Sequence, residues 1–315
     1  MDGQQTPPGD GWPTVGIVVL NWENYGDTAE CLDSLESLAY PEHEVFVVDN
    51  GSTDGSGERI DDEFEWVEVI YNDENRGAAG GNNPGVARVL DEGFDHVLLL
   101  NEDTVLPPDF LFPLVETMES EENVAAVGGR QYNPETGNLI NAGMLFFPIL
   151  GGLTHGVKKS SEEGPYGSPP TPPFIGFQYV PTSMMLMNLD FAATHDVFCE
   201  DYFLGMEDVD FAYQARRDGW KVLVDPRSKI QHKEGQTMEW TPFKTYHWVR
   251  NRLQFGSNRL SLYFRIPFSI SLSLVLLWLC VRWYLDGQQE FVQAALIGAA
   301  DYIGDEEFRE YEFFE

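Results

Sequence analysis

Polar residues stand directly after three apolar runs whose composition favours buried strands. Asn21, Asp49 and the triplet Asn101-Glu102-Asp103 each follow a run rich in valine, leucine and isoleucine. Runs that are apolar at every position are typical of strands buried on both faces of a parallel α/β sheet. The carboxyl ends of such strands converge on one crevice, where open α/β sheets bind ligands. We therefore expect Asp49 and Asp103 to face the same ligand, although they lie far apart in the chain.

The segment that begins at Asp49 has the chemistry of a turn. It reads Asp-Asn-Gly-Ser-Thr-Asp-Gly over residues 49–55, and its glycines permit positive φ angles. Two interpretations stay open: the segment is a ligand-binding loop, or it is a tight turn into a helix capped by Ser52, Thr53 or Asp54.

Residues 75–83, Asn-Arg-Gly-Ala-Ala-Gly-Gly-Asn-Asn, form a second glycine-rich segment. Glycines at the start of a helix let backbone N–H groups approach a phosphate. The segment matches neither a P-loop nor a GxGxxG fingerprint. An ordinary loop before a helix explains it equally well.

The elements that must position these residues alternate between strands and helices. Apolar runs separated by helical patterns predict an α/β fold with a doubly wound, mostly parallel sheet, right-handed crossovers and helices on both faces. The predicted strands are 15–20, 45–48, 67–71, 97–100, 124–128 and 221–224, and the predicted helices are 27–38, 54–62, 80–92, 109–120, 207–218 and 241–258. Residues 155–173 are rich in glycine, serine and proline, which indicates either a lid or a plain surface insertion.

Composition excludes several classes of protein. The chain of 315 residues has 52 acidic and 19 basic residues and a formal net charge of −33, which argues against binding to nucleic acid or to an anionic membrane surface. A hydrophobic content of 43% excludes disorder, so the acidic excess lies on a folded surface. Such a surface resembles those of proteins from halophilic archaea and predicts a loss of stability in low salt. Three widely spaced cysteines indicate neither a disulfide framework nor a zinc site.

The domain organisation follows from changes in composition. Residues 1–13 are polar and predicted to be flexible, without the pattern of a signal peptide. One large domain over 14–259 is predicted, with a ligand-binding half at 14–130 and a second half at 131–259. Residues 260–300 contain an uncharged apolar run at 266–281, which predicts a membrane-associated helical segment that spans the bilayer or lies in its plane. A buried core helix is the alternative. The tail at 301–315 is acidic and predicted to be solvated.

Six motifs in order resemble those of the family 2 inverting glycosyltransferases of GT-A fold. The closest pattern is that of the rhamnosyltransferase-like members, where the last strand end reads Leu-Asn-x-Asp-Thr. The resemblance covers about residues 15–252. The motifs lie at 21–35, 48–56, 75–83, 100–104, 202–210 and 230–235.

The resemblance implies a nucleotide-sugar donor and a divalent cation, Mn²⁺ or Mg²⁺, that neutralises the departing diphosphate. By resemblance Asp103 is a metal ligand and His232 the candidate second ligand, although a structural histidine would look the same. The residues expected to bind the nucleotide-sugar are Asn21, Asp49, Asp54, Asn75, Arg76, Gly81 and Asn82. An ordinary solvated arginine is an equal interpretation for Arg76.

An inverting transfer needs a base that takes the proton of the acceptor hydroxyl. Asp208 is our first candidate by resemblance, and Glu207 becomes the base if the helix register differs. Glu207 and Asp210 share one face of the predicted helix, and Asp208 lies on another. Only one of these two faces can line a pocket. The alternative interpretation is that these three acids only stabilise the N-terminus of the helix and have no catalytic role. Two departures from the family pattern are Asn101 in place of an acid and the acceptor segment at 181–185.

The function expected is transfer of a sugar, with inversion, to an acceptor hydroxyl at the cytoplasmic face of the cell membrane. Together with the terminal apolar run and the halophilic character, the resemblance implies a dolichol phosphate-linked glycan in archaeal N-glycan (S-layer glycoprotein) or cell-surface polysaccharide assembly. The alternatives are a soluble glycosyltransferase that acts on a free polysaccharide or metabolite, and a catalytically idle scaffold that binds a nucleotide-sugar. Residues 247–252 resemble a family segment that contacts the diphosphate, and a solvated amphipathic helix is the alternative interpretation.

Overall fold

A computed structural model describes residues 11–156, 165–167, 172, 175–195, 197–233 and 240–304. Most of the predicted lid and most of the acidic tail lie outside these residues, as does most of the N-terminal segment. The first half of the chain alternates between strands and helices as expected. Its elements are β1 (Val15–Asn21), α1 (Tyr25–Glu36), β2 (His43–Asp49), α2 (Ser56–Glu63), β3 (Glu68–Tyr71), α3 (Gly77–Glu92), β4 (His96–Asn101), β5 (Thr104–Val105), α4 (Leu111–Ser120) and β6 (Val124–Tyr132).

The second half adds short strands and long helices. They are β7 (Leu139–Asn141), β8 (Met144–Phe147), β9 (Leu153–Gly156), β10 (Tyr166–Gly167), β11 (Phe177–Tyr179), β12 (Met184–Asn188), α5 (Leu189–Ala192), α6 (Glu207–Arg217), β13 (Lys221–His232), α7 (Pro242–Arg259), α8 (Leu262–Leu285) and α9 (Gln289–Gly304). Three predicted elements differ by three residues or more at one end, among them β6, which runs to Tyr132 instead of ending at 128. The glycine-rich segment belongs to α3, which begins at Gly77, and β13 runs eight residues beyond the predicted strand end.

The main sheet has the order β10-β13-β6-β12-β4-β1-β2-β3. Strands β3, β2, β1 and β4 are mutually parallel, β12 is antiparallel to its neighbours β4 and β6, and β13 is parallel to β6. A separate small sheet has the order β11-β8-β9. This arrangement confirms the predicted fold class, a GT-A-like α/β fold with a mostly parallel central sheet.

Alternate residues of the central strands fill two cores. In β1, Ile17 and Val19 pack with apolar residues of α1, α2 and α4, whereas Val18 packs with apolar residues of α3. Both faces of the sheet are therefore covered by helices, which is why these strands read as continuous apolar runs. The helices α7, α8 and α9 extend the core on the α3 side.

Candidate active site

The carboxyl ends of three neighbouring strands are level with one another. Asn21 lies opposite Asp49 in the register of β1 and β2, and Leu20 lies opposite Asn101 in β4. The side chain of Asn21 is fully buried and donates a hydrogen bond of 2.7 Å to Asp49 Oδ1. It also accepts a hydrogen bond of 2.8 Å from the Thr28 hydroxyl. Because both ends of the Asn21 amide are used, its role in this structure is to position Asp49.

The turn after β2 wraps around the Asp49 carboxylate. Ser52 donates to it twice, from its hydroxyl at 2.5 Å and from its backbone N–H at 3.2 Å. A side chain at Gly57 would collide with it, because a Cβ there would lie 2.7 Å from Asp49 Cγ. Asp54 is exposed and accepts a hydrogen bond from the Ser56 N–H at the start of α2. Hydrogen bonding to the Ser56 side chain, and then to this N–H, lowers the pKa of Asp54. The loop therefore orders Asp49 and leads into α2, but the residue that caps this helix is Gly55, in the left-handed region that glycine favours, and not Ser52, Thr53 or Asp54. Ligand binding by this loop stays a prediction.

Tyr71 was not identified from the sequence, yet it lies beside Asp49. The two residues are opposite each other in the register of β2 and β3. The Tyr71 ring is 48% exposed. It therefore presents a flat aromatic surface next to a buried carboxylate, which is an arrangement suited to a planar base. The apolar run at 67–71 predicted β3 but gave no signal for this position of Tyr71.

A second residue missed from the sequence, Asn50, holds the loop that leads into α3. Its amide nitrogen donates to Asn75 Oδ1 at 3.0 Å, and its oxygen accepts from the Arg76 N–H at 3.1 Å. Asn72 donates to the same oxygen at 3.0 Å. Asn50 thereby ties β2 to residues 72–77, and Asn75 is part of this internal network.

The start of α3 is occupied by contacts with the protein itself. The N–H of Gly77 donates to Asn75 Oδ1 at 2.9 Å and that of Ala78 donates to the Phe203 carbonyl at 2.9 Å. Gly81 packs against the sheet, because a Cβ there would lie 2.8 Å from Leu20 Cδ1. The glycines therefore serve close packing of α3 on β1 and β2.

Two further residues of this segment also bond within the protein. Asn82 is buried and donates to the Ala78 carbonyl at 2.8 Å. Arg76 is exposed and pairs with Glu200, which also accepts from Asn83 at 3.0 Å. We accordingly expect Gly81 and Asn82 to position the site through α3 without direct contact with the donor.

Asp103 and His232 lie together although more than a hundred residues separate them. The distance between His232 Nε2 and Asp103 Oδ1 is 3.0 Å, and both side chains are nearly buried. Antiparallel pairing of β5 with β13 places His232 opposite Thr104, which explains the approach. The Lys233 N–H also donates to the Asp103 carbonyl at 2.9 Å. Residues 230–233 of this motif thus reach the end of β4 as the resemblance implied, and its last two residues lie outside the described part of the chain.

The hydrogen bonds of His232 fit a metal ligand. Its Nδ1 lies 3.0 Å from Gln131 Oε1, which can only accept, so Nδ1 carries the proton. Nε2 faces the Asp103 carboxylate, so a cation held between them would have both groups as ligands. Among the described residues, no group of three His, Cys, Asp or Glu side chains is spaced to hold a metal. A cation here would therefore complete its shell with diphosphate oxygens and water, as Mg²⁺ commonly does.

Glu102 adds acidic character beside this pair. Burial raises the pKa of Glu102 to about 7, and the neighbouring carboxylates of Asp103 and Asp27 raise it further, whereas His232 lowers it. The acid that the family pattern would place at Asn101 is missing, so Glu102 is the nearest additional source of negative charge.

Asp208 and Glu207 lie at the start of α6, directly after a tight turn. Gly205 and Met206 both have positive φ, and the Asn251 amide donates to the carbonyls of Leu204 and Gly205 at 3.0 and 2.9 Å. Residues 247–252 of α7 therefore hold the turn that carries the two acids. This is a positioning role that the sequence alone did not indicate.

The three acids of α6 have different surroundings. Asp210 is buried and makes two hydrogen bonds of 2.6 Å to the Arg259 guanidinium, which removes it from the candidates for a base. Glu207 is 5% exposed, and Asp208 lines a cavity. Burial raises the pKa of both Glu207 and Asp208, and the charge of Asp208 raises the pKa of Glu207 further. These carboxyls are therefore poised to exchange a proton near neutral pH.

The cavity at Asp208 has a volume of about 340 Å³ and mixes aromatic with basic side chains. Trp240 and Trp248 form its aromatic walls, and Lys244 and Arg252 also line it. The Arg252 guanidinium lies 4.0 Å above the Trp248 ring and donates to the Gly152 carbonyl. Burial lowers the pKa of Arg252 to about 9. A second cavity of about 410 Å³ shares the two tryptophans and reaches α8 at Arg282 and Trp283.

The chain is similar in sequence to a hexosyltransferase and to a polysaccharide synthase. The chain is 24% identical over 301 residues to the low-salt glycan biosynthesis hexosyltransferase Agl10 of Haloferax volcanii, covering 90% of this chain and 89% of that protein. It is 32% identical over 114 residues to the poly-β-1,6-N-acetyl-D-glucosamine synthase of Staphylococcus epidermidis. That match covers 35% of this chain and 26% of the synthase, so the chain spans about a quarter of that relative.

Solved structures share the fold at low identity. The mannosyltransferase PcManGT from Pyrobaculum calidifontis, in complex with GDP-Man and Mn²⁺, has a TM-score of 0.55 at 14% identity over 94% of this chain and 88% of that one. GalNAc-T7 with UDP, GalNAc and Mn²⁺ has a TM-score of 0.57 at 15% identity over 82% of this chain and 54% of that one.

The family model described as Glycosyl transferase family 2 matches residues 14–178, which is just over half of the chain. This range contains the network around Asp49 and the Asp103 motif. The rhamnosyltransferase-like subgroup stays a prediction. The chain belongs to glycosyl transferase family 2.

Proposed function

We propose that this protein is a metal-dependent, inverting glycosyltransferase that extends a lipid-linked glycan at the cytoplasmic face of the membrane. The observation that carries the proposal is the division of buried acids into two groups. Asp103 pairs with His232 at the strand ends, whereas Asp208 faces a separate cavity with tryptophan walls. One group suits a nucleoside diphosphate and the other an acceptor hydroxyl.

On the donor side, Asp49 and Tyr71 are suited to hold the nucleoside. Asp49 offers a rigid acceptor for hydrogen bonds from a ribose or base, and the Tyr71 ring offers a stacking surface beside it. Asn21 contributes by fixing the Asp49 carboxylate. Asp103 and His232 would hold Mn²⁺ or Mg²⁺, which when bound neutralises charge on the diphosphate.

On the acceptor side, Asp208 is the base. Its carboxylate takes the proton of the acceptor hydroxyl as that oxygen forms a bond to the anomeric carbon. The bond from the anomeric carbon to the nucleoside diphosphate breaks on the opposite side, so the configuration inverts. The raised pKa of Asp208 suits this task, because a base is most effective when its pKa lies near the working pH.

The acceptor's lipid carrier is supported by α8. Within the part of the chain that the structure describes, α8 is the one helix long and apolar enough to cross a membrane, and only 11% of its most apolar stretch is buried. A soluble transferase would need this helix in its core, so its exposure disfavours that alternative. The likeness to Agl10 favours glycan assembly, and a dolichol phosphate carrier fits the halophilic composition.

An idle scaffold is the remaining alternative, motivated by Asn101 in place of an acid. Asp208 argues against it, because its half-buried carboxyl lines a cavity and has a raised pKa, an environment that is costly for a charge without a function. One experiment distinguishes the lipid-linked transferase, the soluble transferase and the idle scaffold. The purified protein is incubated in molar KCl with Mn²⁺, radiolabelled nucleotide-sugars and a lipid extract of a haloarchaeon. We expect label in the organic phase. Label only in water-soluble products would support the soluble transferase, and donor binding without any transfer would support the scaffold.

A further inference from the structure

The helix α8 has two faces of opposite exposure. Phe268, Leu272 and Trp283 are buried against the protein. The opposite face repeats at intervals of three and four residues, as one side of a helix does, and each of its side chains is half or more exposed. These residues are Tyr263, Ile266, Ile270, Leu274, Leu277, Trp278, Val281 and Tyr284.

The first half of α8 is attached to the catalytic domain. The Ser271 hydroxyl donates to the Ile149 carbonyl at 3.0 Å. Gly151 approaches so closely that a Cβ there would lie 2.6 Å from the Leu272 nitrogen. Phe268 packs on Phe255 of α7, with ring centroids 6.3 Å apart. The first half of α8 therefore packs against the catalytic domain and does not project away from it.

The far end of α8 returns to the same domain through α9. Trp283 stacks on Phe291 of α9 at 5.6 Å between ring centroids. The Tyr246 hydroxyl of α7 donates to Asp301 Oδ2 at 3.0 Å, and a Cβ at Gly298 would lie 2.6 Å from the Tyr246 carbonyl oxygen. The helix after α8 is thus closely packed along α7.

This packing conflicts with a transmembrane path. A helix that crossed the bilayer would carry α9 beyond about 30 Å of hydrocarbon, away from α7. We propose that α8 lies in the plane of the membrane, with its exposed face in the bilayer and its buried face on the catalytic domain. The inference rests on the proposed function, because it assigns the orientation of the membrane segment named there.

A lipid bilayer is the occupant that this face fits. Residues 266–281 are uncharged in a chain with 23% charged residues, and Arg265 and Arg282 flank them. Tyr263, Trp278 and Tyr284 combine apolar rings with polar atoms, as residues at membrane interfaces do. Interfacial helices usually keep a polar face towards water. Here the catalytic domain covers that side instead.

The orientation also places the membrane at the acceptor cavity. The cavity of about 410 Å³ lies at the C-terminal end of α8, between Arg282 and the tryptophan walls it shares with the Asp208 cavity. A glycan on a lipid carrier could then reach Asp208 from the bilayer surface while its phosphate stays beside Arg282.

Spin labelling tests the orientation. Cys199 and Cys280 are changed to serine, Cys31 is left because it is fully buried, and nitroxides are attached at single cysteines in the full chain bound to vesicles of phosphatidylglycerol and phosphatidylcholine in molar KCl. Oxygen and nickel accessibility then report depth. We expect similar, shallow depths at Ile270, Leu277 and Tyr284, and no lipid exposure at the protein-facing Leu272. Depths that rise to a maximum in mid-helix and fall again would overturn the proposal.

Matched variants test the bilayer as occupant. Leu274→Glu with Leu277→Glu should lower vesicle binding at least ~tenfold, because acids on a lipid-facing surface are costly. Trp66→Glu, an exposed apolar residue elsewhere, should bind as the unmodified protein does. A stable dimer in solution that fails to bind vesicles would overturn the proposal. Donor hydrolysis in solution should persist in every variant, and its absence in the unmodified protein would count against the proposed function instead.

Discussion

Replacing Asp208 by asparagine should abolish sugar transfer and also make the protein more stable at alkaline pH. The carboxyl is enclosed beside Glu207, and its pKa rises from an ordinary value near 3.8 to about 7. The fold therefore favours the protonated acid. The amide of asparagine keeps an oxygen for the hydrogen bond that Asp208 Oδ1 accepts from the Val209 N–H at 2.7 Å.

The sign and size of the effect follow from that shift. Because the folded-state pKa lies above the unfolded value, ionised Asp208 costs nothing below about pH 4, and the cost grows as the pH rises to about 7 and then stays constant. One pKa unit corresponds to ~1.4 kcal/mol, and Glu207 shares the proton, so we expect Asp208→Asn to gain on the order of 2 to 4 kcal/mol near pH 8. The gain should vanish near pH 4.

Urea unfolding in molar KCl measures this difference, with Asp33→Asn as the control because Asp33 is an exposed aspartate on α1. The control should change the free energy of unfolding by less than ~0.5 kcal/mol at every pH. If Asp208→Asn were no more stable than the control at about pH 8, or if its gain did not depend on pH, the burial of this carboxylate would be refuted.

Three further predictions concern the surroundings of the site. Gln131→Met removes the group that orients His232 and should weaken Mn²⁺ binding, measured by electron paramagnetic resonance with a nucleoside diphosphate present, by ~10–100-fold; unchanged affinity would remove His232 from the metal site. Gly81→Ala should cost ~1–3 kcal/mol in urea unfolding because its Cβ would lie 2.9 Å from the Asn50 amide nitrogen, which hydrogen bonds to Asn75 and Gly77 hold in place, whereas Gly26→Ala in α1, which has open space around it, should be neutral or stabilising. Arg259→Met leaves a buried carboxylate without its partner and should cost ~3–5 kcal/mol by the same measurement; an effect below that of Gly81→Ala would contradict the assigned ion pair.

Much of the donor half could be predicted from the sequence because its signals are local. Continuous apolar runs identified the central strands, and their ends correctly indicated the neighbourhood of Asn21 and Asp49. The sequence could not reveal that Asn50 organises the next loop, since that role depends on contacts made across the fold. Gln131 was missed for the same reason, because its partner His232 comes from a strand far along the chain.

The acceptor half was harder to predict because packing decides it. Acids three apart on a helix do not reveal which one faces a cavity, and only the ion pair of Asp210 with Arg259 separates it from Asp208. For the glycine-rich segment, the sequence suggested a ligand contact that the packing does not support. Its glycines resemble a phosphate loop, yet Gly81 serves close contact between α3 and β1. Hydropathy likewise identified α8 without showing that both its ends are attached to one domain.

Turnover of a nucleotide-sugar by the Asp208→Asn variant tests the central claim most directly. In molar KCl with Mn²⁺, we expect the unmodified protein to release nucleoside diphosphate from its donor. The variant should bind the same donor with unchanged affinity and lose ~10²–10⁴-fold of that turnover, the usual contribution of a general base. Turnover at the full rate in the variant would contradict the assignment of Asp208 as the base.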